Sequence, residues 1–515
     1  MAELGFWRLA ETDRDRLALV GPDGDERTAG ALLDRSNQIA HGLRALGLEV
    51  GDTVALLLPN SIELMEIYLA ALQIGLYVTP VNWHLVGPEV AYILEDSDAK
   101  VFVASERFAD VARAAVDEAG LAPDRCFAVG TIDGFGPYAA LFEGQPIDTP
   151  GGRTTGAAMH YTSGTTGRPK GVKRGLAPID PSDMGELLGY LPNLFGIAAR
   201  DGHVHLTVSP IYHTAVLMWT GNALHLGHTV VLMDKWQPEE TLRLIERYHV
   251  TYSHMVPTQF VRLLDLPEET RARYDVSSLR NMVHGAAPCP QEVKHKMIDW
   301  WGDTIQEYYA ATEGGGTVIG AAEWKERPGS VGLPWPGSAI RIYDDDANQL
   351  GAGQIGTVYM QLMADFEYKG DQAKTKANRI ENFFTVGDLG ELDEAGYLFL
   401  RDRKSDMIIS GGANIYPAEI EGELINHPAV QDVAVFGIPN ADWGEEIKAV
   451  VELHEGFEPG DDLTADILGW AGTRMGKFKL PRTIDFVTAL PREANGKLIK
   501  RKLRDPYWEG IDRQI

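Results

Sequence analysis

The stretch YTSGTTGRPKGV, residues 161–172, decides how this chain is read. AAMHYTS, at its start, has the apolar character of a strand. It opens into a run of small residues, Thr162, Ser163, Gly164, Thr165, Thr166 and Gly167, closed by Pro169-Lys170-Gly171. Glycines let backbone N–H groups approach phosphate oxygens, hydroxyls add further donors, and Lys170 adds positive charge. The preceding strand sets the segment apart from a flexible linker of similar composition. It is also no Walker A loop, which needs GxxxxGK followed by Ser or Thr. Here Lys170 lies between Pro169 and Gly171. A phosphate-binding turn of another class is expected.

Around this turn, strand-like and helix-like runs alternate. TVALLLP (53–59) reads as a buried strand, followed by SIELMEIYLAALQIGL (61–76), with helical spacing of apolar residues and Ser61 as N-cap. AKVFVAS, HVHLTVSP, HTVVLMD and VTYSHMVP repeat the strand signature. The order implies an α/β fold: a large N-terminal domain of packed sheets covered by helices, carrying a small β-rich subdomain. After residue 403 the pattern restarts with PAEIEGELINHPAV, VQDVAVFGIP, IKAVVEL and DILGWAGTRM. The expected division is 1–403 for the large N-terminal domain and 404–515 for a small α+β lid.

The chain's 515 residues exceed one ordinary core, and its 44% hydrophobic and 23% charged content suit a soluble enzyme. A net charge of −27 argues against nucleic acid or an anionic membrane as partner. Two cysteines, Cys126 and Cys289, give no disulfide framework or zinc pattern. With neither a signal peptide nor an apolar run near 18 residues, a cytoplasmic location without a membrane span is expected.

The loop at 161–172 resembles the signature of the adenylate-forming superfamily, which includes acyl-CoA synthetases, peptide-synthetase adenylation domains and beetle luciferases. Further segments follow in the family's order, and the likeness runs from about Thr28 to Arg504. HGAAPCP (284–290) resembles the turn lining the adenine, through Gly285, Ala286 and Ala287. QEYYAATEGGG (306–316) resembles the aromatic-Gly-x-Thr-Glu motif. The resemblance implies that Tyr309 stacks on adenine, Thr312 meets the α-phosphate and Glu313 holds Mg²⁺, a hard cation suited to a carboxylate. Ala310 stands where the family most often has Gly. Asp388, in VGDLG, matches the ribose-binding aspartate and Arg403 the arginine reaching ribose or phosphate. Lys497, in PREANGKLIKRKLR, matches the lysine that neutralises charge during adenylation.

For the lid, the resemblance implies rotation about a hinge at Ser405, a position usually Asp or Lys, to open a tunnel for coenzyme A. Gly411 and Gly412 would allow the tunnel wall to come close, Trp443 would face coenzyme A, and Lys479 and Arg482 would meet its phosphates. In SPIYHTAVLMWTGNAL (209–224), His213 would lie near the substrate carboxylate. Tyr212, Leu217, Met218 and Trp219, with Met255, Val256 and Met282, are the candidates for an apolar acyl pocket. The implied activity converts ATP and an apolar acid, fatty or bulky polycyclic such as a steroid or terpenoid acid, to an acyl-adenylate and then an acyl-CoA. The wording leans toward the fatty-acyl and bile-acid ligase branch. Alternatives are loading of a carrier protein, restriction to thiolation, luciferase-like oxygenation, or a binding protein. A homodimer is allowed by the sequence and not specified by it.

Overall fold

The computed structural model describes residues 4–162, 169–362, 366–369, 375–376, 378–410, 413–440, 442–492 and 498–509. Ser163, Gly164, Thr165, Thr166, Gly167, Gly411, Gly412 and Lys497 therefore lie outside the described residues, as does the side chain of Thr162.

Apolar strand runs form two largely parallel sheets. Six strands make one sheet, from Gly136–Pro137 through Ala99–Ser105, Thr53–Leu57 and Tyr77–Pro80 to Ala157–Ala158, all parallel. Nine make the other. Its parallel centre runs Ile305–Ala311, Asn281–His284, Tyr252–Met255, Val204–Thr207, Thr229–Leu232, Leu17–Val20. Between the two sheets lie the helices Ala29–Ala45, Ile62–Leu72 and Thr214–His225, whose apolar residues merge with both inner faces into one core. The outer faces are covered by Gly87–Asp96 and Ala109–Ala119 on one side, and by Pro238–Tyr248, Pro257–Leu264 and Gln291–Trp301 on the other. The result is five alternating layers.

Local chemistry starts these helices where expected. Ser61 accepts a hydrogen bond from the Leu64 N–H at 3.3 Å, and Thr28 accepts one from Ala31. Asn60, 3% exposed, joins the two sheets at their C-terminal ends. Its amide donates to the Ser209 and Met233 carbonyls at 2.9 and 2.8 Å and accepts from the Ile211 N–H at 2.8 Å. This fixes the turn that leads to His213.

A smaller sheet carries the β-rich portion, with Asp388–Leu392 antiparallel to Leu398–Arg403. Beyond Arg403 the strands belong to a separate sheet. There Val430–Asn440 pairs along its length with Gly444–Leu453, and Pro417–Leu424 and Asp461–Gly472 pack on a core of Ile420, Val435, Val451 and Ile467.

Candidate active site

The C-terminal ends of the nine-stranded sheet's parallel strands meet at one edge, the usual ligand side of a doubly wound sheet. Three turns converge there: 209–213, 284–287 and 310–313. Beside them lies a short antiparallel sheet in which Lys170–Arg174 pairs with His160–Thr162 and with Phe366–Tyr368. Lys170 pairs with Thr162 directly across the ends of the phosphate loop. The Tyr92 hydroxyl donates to the Pro169 carbonyl at 3.1 Å, and the Tyr161 hydroxyl donates to Asp96 at 2.6 Å, so the loop's flanks are held on both sides.

Two turns owe their shape to small residues. A Cβ on Gly285 would lie 2.8 Å from the Tyr308 carbonyl oxygen, so only glycine fits. Ala286 holds φ at 65°, the left-handed region that an L-residue enters only under constraint. In the next turn Gly315 has φ 69°, and a Cβ there would meet Met360 at 2.8 Å.

A polar network runs through the convergence. Tyr309 donates to Asp388 Oδ2 at 2.6 Å, and Asp388 Oδ1 lies 3.4 Å from Arg403 Nε, its cross-strand partner. Burial pushes the Tyr309 phenol well above its ordinary value, with Asp388 adding to the rise. A carboxylate offers about four lone-pair positions, so Asp388 retains accepting capacity for a sugar diol. Glu313, 7% exposed, accepts from the Tyr368 hydroxyl at 2.6 Å. Thr312 Oγ1 sits 3.3 Å from Thr214 Oγ1, and its carbonyl accepts from the Arg174 guanidinium. Burial lowers the Arg174 value while Glu313 opposes the shift.

The structure thus brings Lys170, Gly285, Ala286, Ala287, Tyr309, Thr312, Glu313, Asp388 and Arg403 to one edge. Arg174, Tyr368 and Thr214 are members that motif reading passed over. Each is one contact removed from a motif residue, and only the period-2 spacing of Val172 and Arg174 along their strand hinted at one of them. His213 occupies the N-cap of the Thr214–His225 helix, its ring 4.3 Å from that of Tyr212.

Two of the pocket candidates require correction. Met255 and Met282 are fully buried in the outer core with Leu263 and Met297, on the far side of the sheet from the Thr214–His225 helix. Side chains alternate along a strand, so His254 and Val283 are the neighbours that face inward.

On the lid, Trp443 is 49% exposed and the Arg482 guanidinium lies 5.5 Å from its ring. Lys479 is bound to Glu419. The Ser405 carbonyl accepts from Arg504 at 3.2 Å.

The sequence profile of the AMP-binding enzyme family matches residues 6–362, and that of the AMP-binding enzyme C-terminal domain matches residues 419–497. The chain belongs to the AMP-binding enzyme family. This AMP-binding enzyme is 32% identical over 507 residues to the fatty acid–[acyl-carrier-protein] ligase ScoC of Streptomyces coeruleorubidus, covering 96% of this chain and 94% of that one. It is 32% identical over 510 residues to a feruloyl-CoA synthase of an Amycolatopsis species, covering 97% and 98%. Its fold is similar to that of ATP-bound MatB from Rhodopseudomonas palustris, with TM-score 0.82, 30% identity, and 98% of each chain covered. As an AMP-binding enzyme with these relatives it is an adenylate-forming acid–thiol ligase. Among the described residues no helix is long and apolar enough to cross a membrane.

Proposed function

We propose that this AMP-binding enzyme is an acyl-CoA synthetase that activates an apolar carboxylic acid as its adenylate and passes the acyl group to coenzyme A. The observation that carries the reading is the continuity of the polar edge. The loop-flanking Lys170, the buried Glu313 held by Tyr368, and the Asp388 held by Tyr309 and Arg403 lie around the same strand ends. The ribose hydroxyls bind Asp388, adenine lies against the 285–287 turn and Tyr309, and the phosphates meet the loop, Lys170 and Thr312.

The donor set fits a hard cation. Tyr368 holds Oε1 of Glu313, and the Thr312 hydroxyl is next in sequence. Glu313 would hold Mg²⁺, which when bound neutralises charge on the phosphates. The acid's carboxylate, placed beside His213 and Thr214, attacks the α-phosphorus and pyrophosphate leaves. The thiol then attacks the acyl carbonyl and AMP leaves. Neither step needs a protein nucleophile, since positioning and charge stabilisation supply the catalysis. Lys497 is assigned to adenylation, and Ser405 to the hinge of a lid spanning 404–515 that moves on the 1–403 domain. Trp443 and Arg482 suit the nucleotide end of coenzyme A, with Lys479 joining them once it leaves Glu419.

The test is carboxylate-dependent pyrophosphate release against acids of graded size, with coenzyme A, holo-carrier protein or neither. Release with AMP and a coenzyme A thioester is expected. Thioester on the carrier protein alone would reassign the acceptor. Lys497→Ala is expected to abolish adenylation and to spare thiolation of a supplied acyl-adenylate; equal loss of both would refute its role.

A further inference from the structure

A cavity of about 250 Å³ lies away from the strand ends that carry the active site. It opens at the N-terminal ends of the six-stranded sheet, where Tyr77 begins one strand and Lys100 is the second residue of Ala99–Ser105. Lys173 and Lys369 line it from the short antiparallel sheet and the residue that follows it. Three lysines thus surround one cavity in a chain of net charge −27. Lys369 is committed, lying 2.7 Å from Asp98 Oδ2 and donating to the Asp96 carbonyl. Asp52 is committed as well, accepting from the Glu49 N–H at 2.8 Å. Lys100 is exposed, and Lys173 is half-buried with its ammonium 5.2 Å from the Tyr77 ring. Among the described residues neither has an ion pair. The uncommitted charge is therefore two ammoniums against one carboxylate, that of Glu367, the cross-strand partner of Lys173. Pockets for drug-sized ligands run from about 300 to 1,000 Å³, so this one suits something smaller. Lysine binds phosphate as a point charge, and two of them on a polar wall suit a compact oxyanion.

The short sheet gives this cavity a route to the active site. Residues paired directly across an antiparallel ladder share a face, and the faces alternate along each strand. Val172, Arg174, Phe366 and Tyr368 share one face, and Lys173 and Glu367 stand on the other. On the first face Arg174 donates to the Thr312 carbonyl and Tyr368 to Glu313. The cavity wall holds the same strands from behind. The Tyr77 hydroxyl donates to the Arg174 carbonyl at 2.6 Å, and the Lys369 N–H donates to the Gly171 carbonyl at 2.9 Å.

We propose that this cavity is a second ligand site, taking a compact phosphate-type anion on Lys100 and Lys173, and that its occupancy changes nucleotide affinity through the shared strands. The coupling rests on the placement of Thr312 and Glu313 at the phosphates under the proposed function; the binding does not. An anion drawing Lys173 toward Lys100 pulls on the strand whose next residue, Arg174, holds Thr312.

Calorimetric titration of the full chain with inorganic phosphate, at constant ionic strength, tests the site. The nucleotide edge is first filled with Mg²⁺ and a saturating non-hydrolysable ATP analogue. Saturable phosphate binding is expected to survive that filling. It should weaken roughly tenfold or more in Lys100→Gln with Lys173→Gln, whose analogue affinity without phosphate stays at the wild-type value. Glycerol 3-phosphate in a parallel titration separates the sources, tighter binding of one or the other naming a phosphorylated metabolite or the free anion. By linkage, phosphate should also change the wild type's analogue affinity by about fivefold more than the double variant's. Direct competition at the nucleotide edge is the same in both proteins, so their difference isolates the coupling. Binding abolished by the analogue, equal binding in the double variant, or a response that never saturates overturns the site. Equal phosphate dependence of analogue affinity in the two proteins overturns the coupling. Acid activation enters none of these measurements, so the ligase reading stands or falls separately.

Discussion

The two faces of the nine-stranded sheet are made by alternate residues of the same strands and have opposite characters. On the outer face Leu206, Met255, Met282 and Ile305 join Leu263 and Met297 in an aliphatic core. On the inner face, under the Thr214–His225 helix, stand His205, Tyr252, His254 and Tyr308. The outer face is filled mainly by apolar residues, which hold the sheet to its helices, with His284, Lys294 and Glu307 buried among them. The inner face is equally dry yet carries imidazoles and phenols, each needing a partner. Thr207 and Thr220 meet there at 2.9 Å, and His228 bonds to Tyr252 at 2.9 Å. Such a layer is a poor choice for stability alone and a good one for a shaped, rigid wall beside a site.

The comparison is most exposed to acid. Burial pushes His160, His225 and His228 down to about 4, and His205 and His254 to about 3. All five stay neutral in the fold, whereas in the unfolded chain they protonate near 6.5. Below 6.5 the unfolded state therefore binds more protons. Stability is full above that pH and is lost as pH falls toward 4, by up to about 1.4 kcal/mol per pH unit for each histidine. Buried carboxylates with raised values, Glu66 and Glu307 among them, oppose the trend. Chemical denaturation at pH 7.5, 6.5 and 5.5 should show a steep decline between the last two, reduced in His205→Phe. An unchanged slope in that variant would show that the inner layer does not govern acid stability.

The outer face also holds a buried ion pair. Lys294, 1% exposed, lies 2.5 Å from Glu307 Oε2, with its ammonium 4.7 Å from the Trp324 ring. Removing one partner strands a buried charge. Lys294→Met is expected to cost about 3–5 kcal/mol, and Lys294→Met with Glu307→Leu to recover most of it. A double variant as unstable as the single one would make the pair more than a matched charge. Glu307 lies two residues before Tyr309, so such a result would tie the outer face to the nucleotide edge.

Much of this division was legible in the sequence, because periodicity and short motifs act locally. TVALLLP and SIELMEIYLAALQIGL became the strand Thr53–Leu57 and the helix Ile62–Leu72 with Ser61 as its cap. The motif residues came to one edge because Lys170 and Asp388 begin strands there, Arg403 ends one, Tyr309 lies near the end of Ile305–Ala311, and Glu313 sits in the turn after it. What the motifs could not carry was the direction of a side chain within a strand buried on both faces. VTYSHMVP carries polar residues on both faces, so neither marks the inside; Met255 read as pocket and His254 was passed over, although strand alternation puts them on opposite sides. Contacts between distant segments were equally hidden. Tyr368 on Glu313, Arg174 on Thr312 and Asn60 across two sheets are set by packing, and no spacing announces them.

The smallest expected effect separates two roles of a single inner-face side chain. Tyr308 supplies ring bulk against Gly285 and a hydroxyl to His254. Tyr308→Phe keeps the first and removes the second. His254 is 4% exposed, and its Nδ1 has no partner among the described residues, so losing Tyr308 leaves both ring nitrogens unsatisfied. The expected loss is about 1–3 kcal/mol of stability. If ring bulk against Gly285 is what the site needs, the variant's kcat/KM for its acid stays at the wild-type value. If it falls instead, the hydroxyl has been holding His254 against Trp219, and the site depends on the inner face's hydrogen bonds as well as its volume.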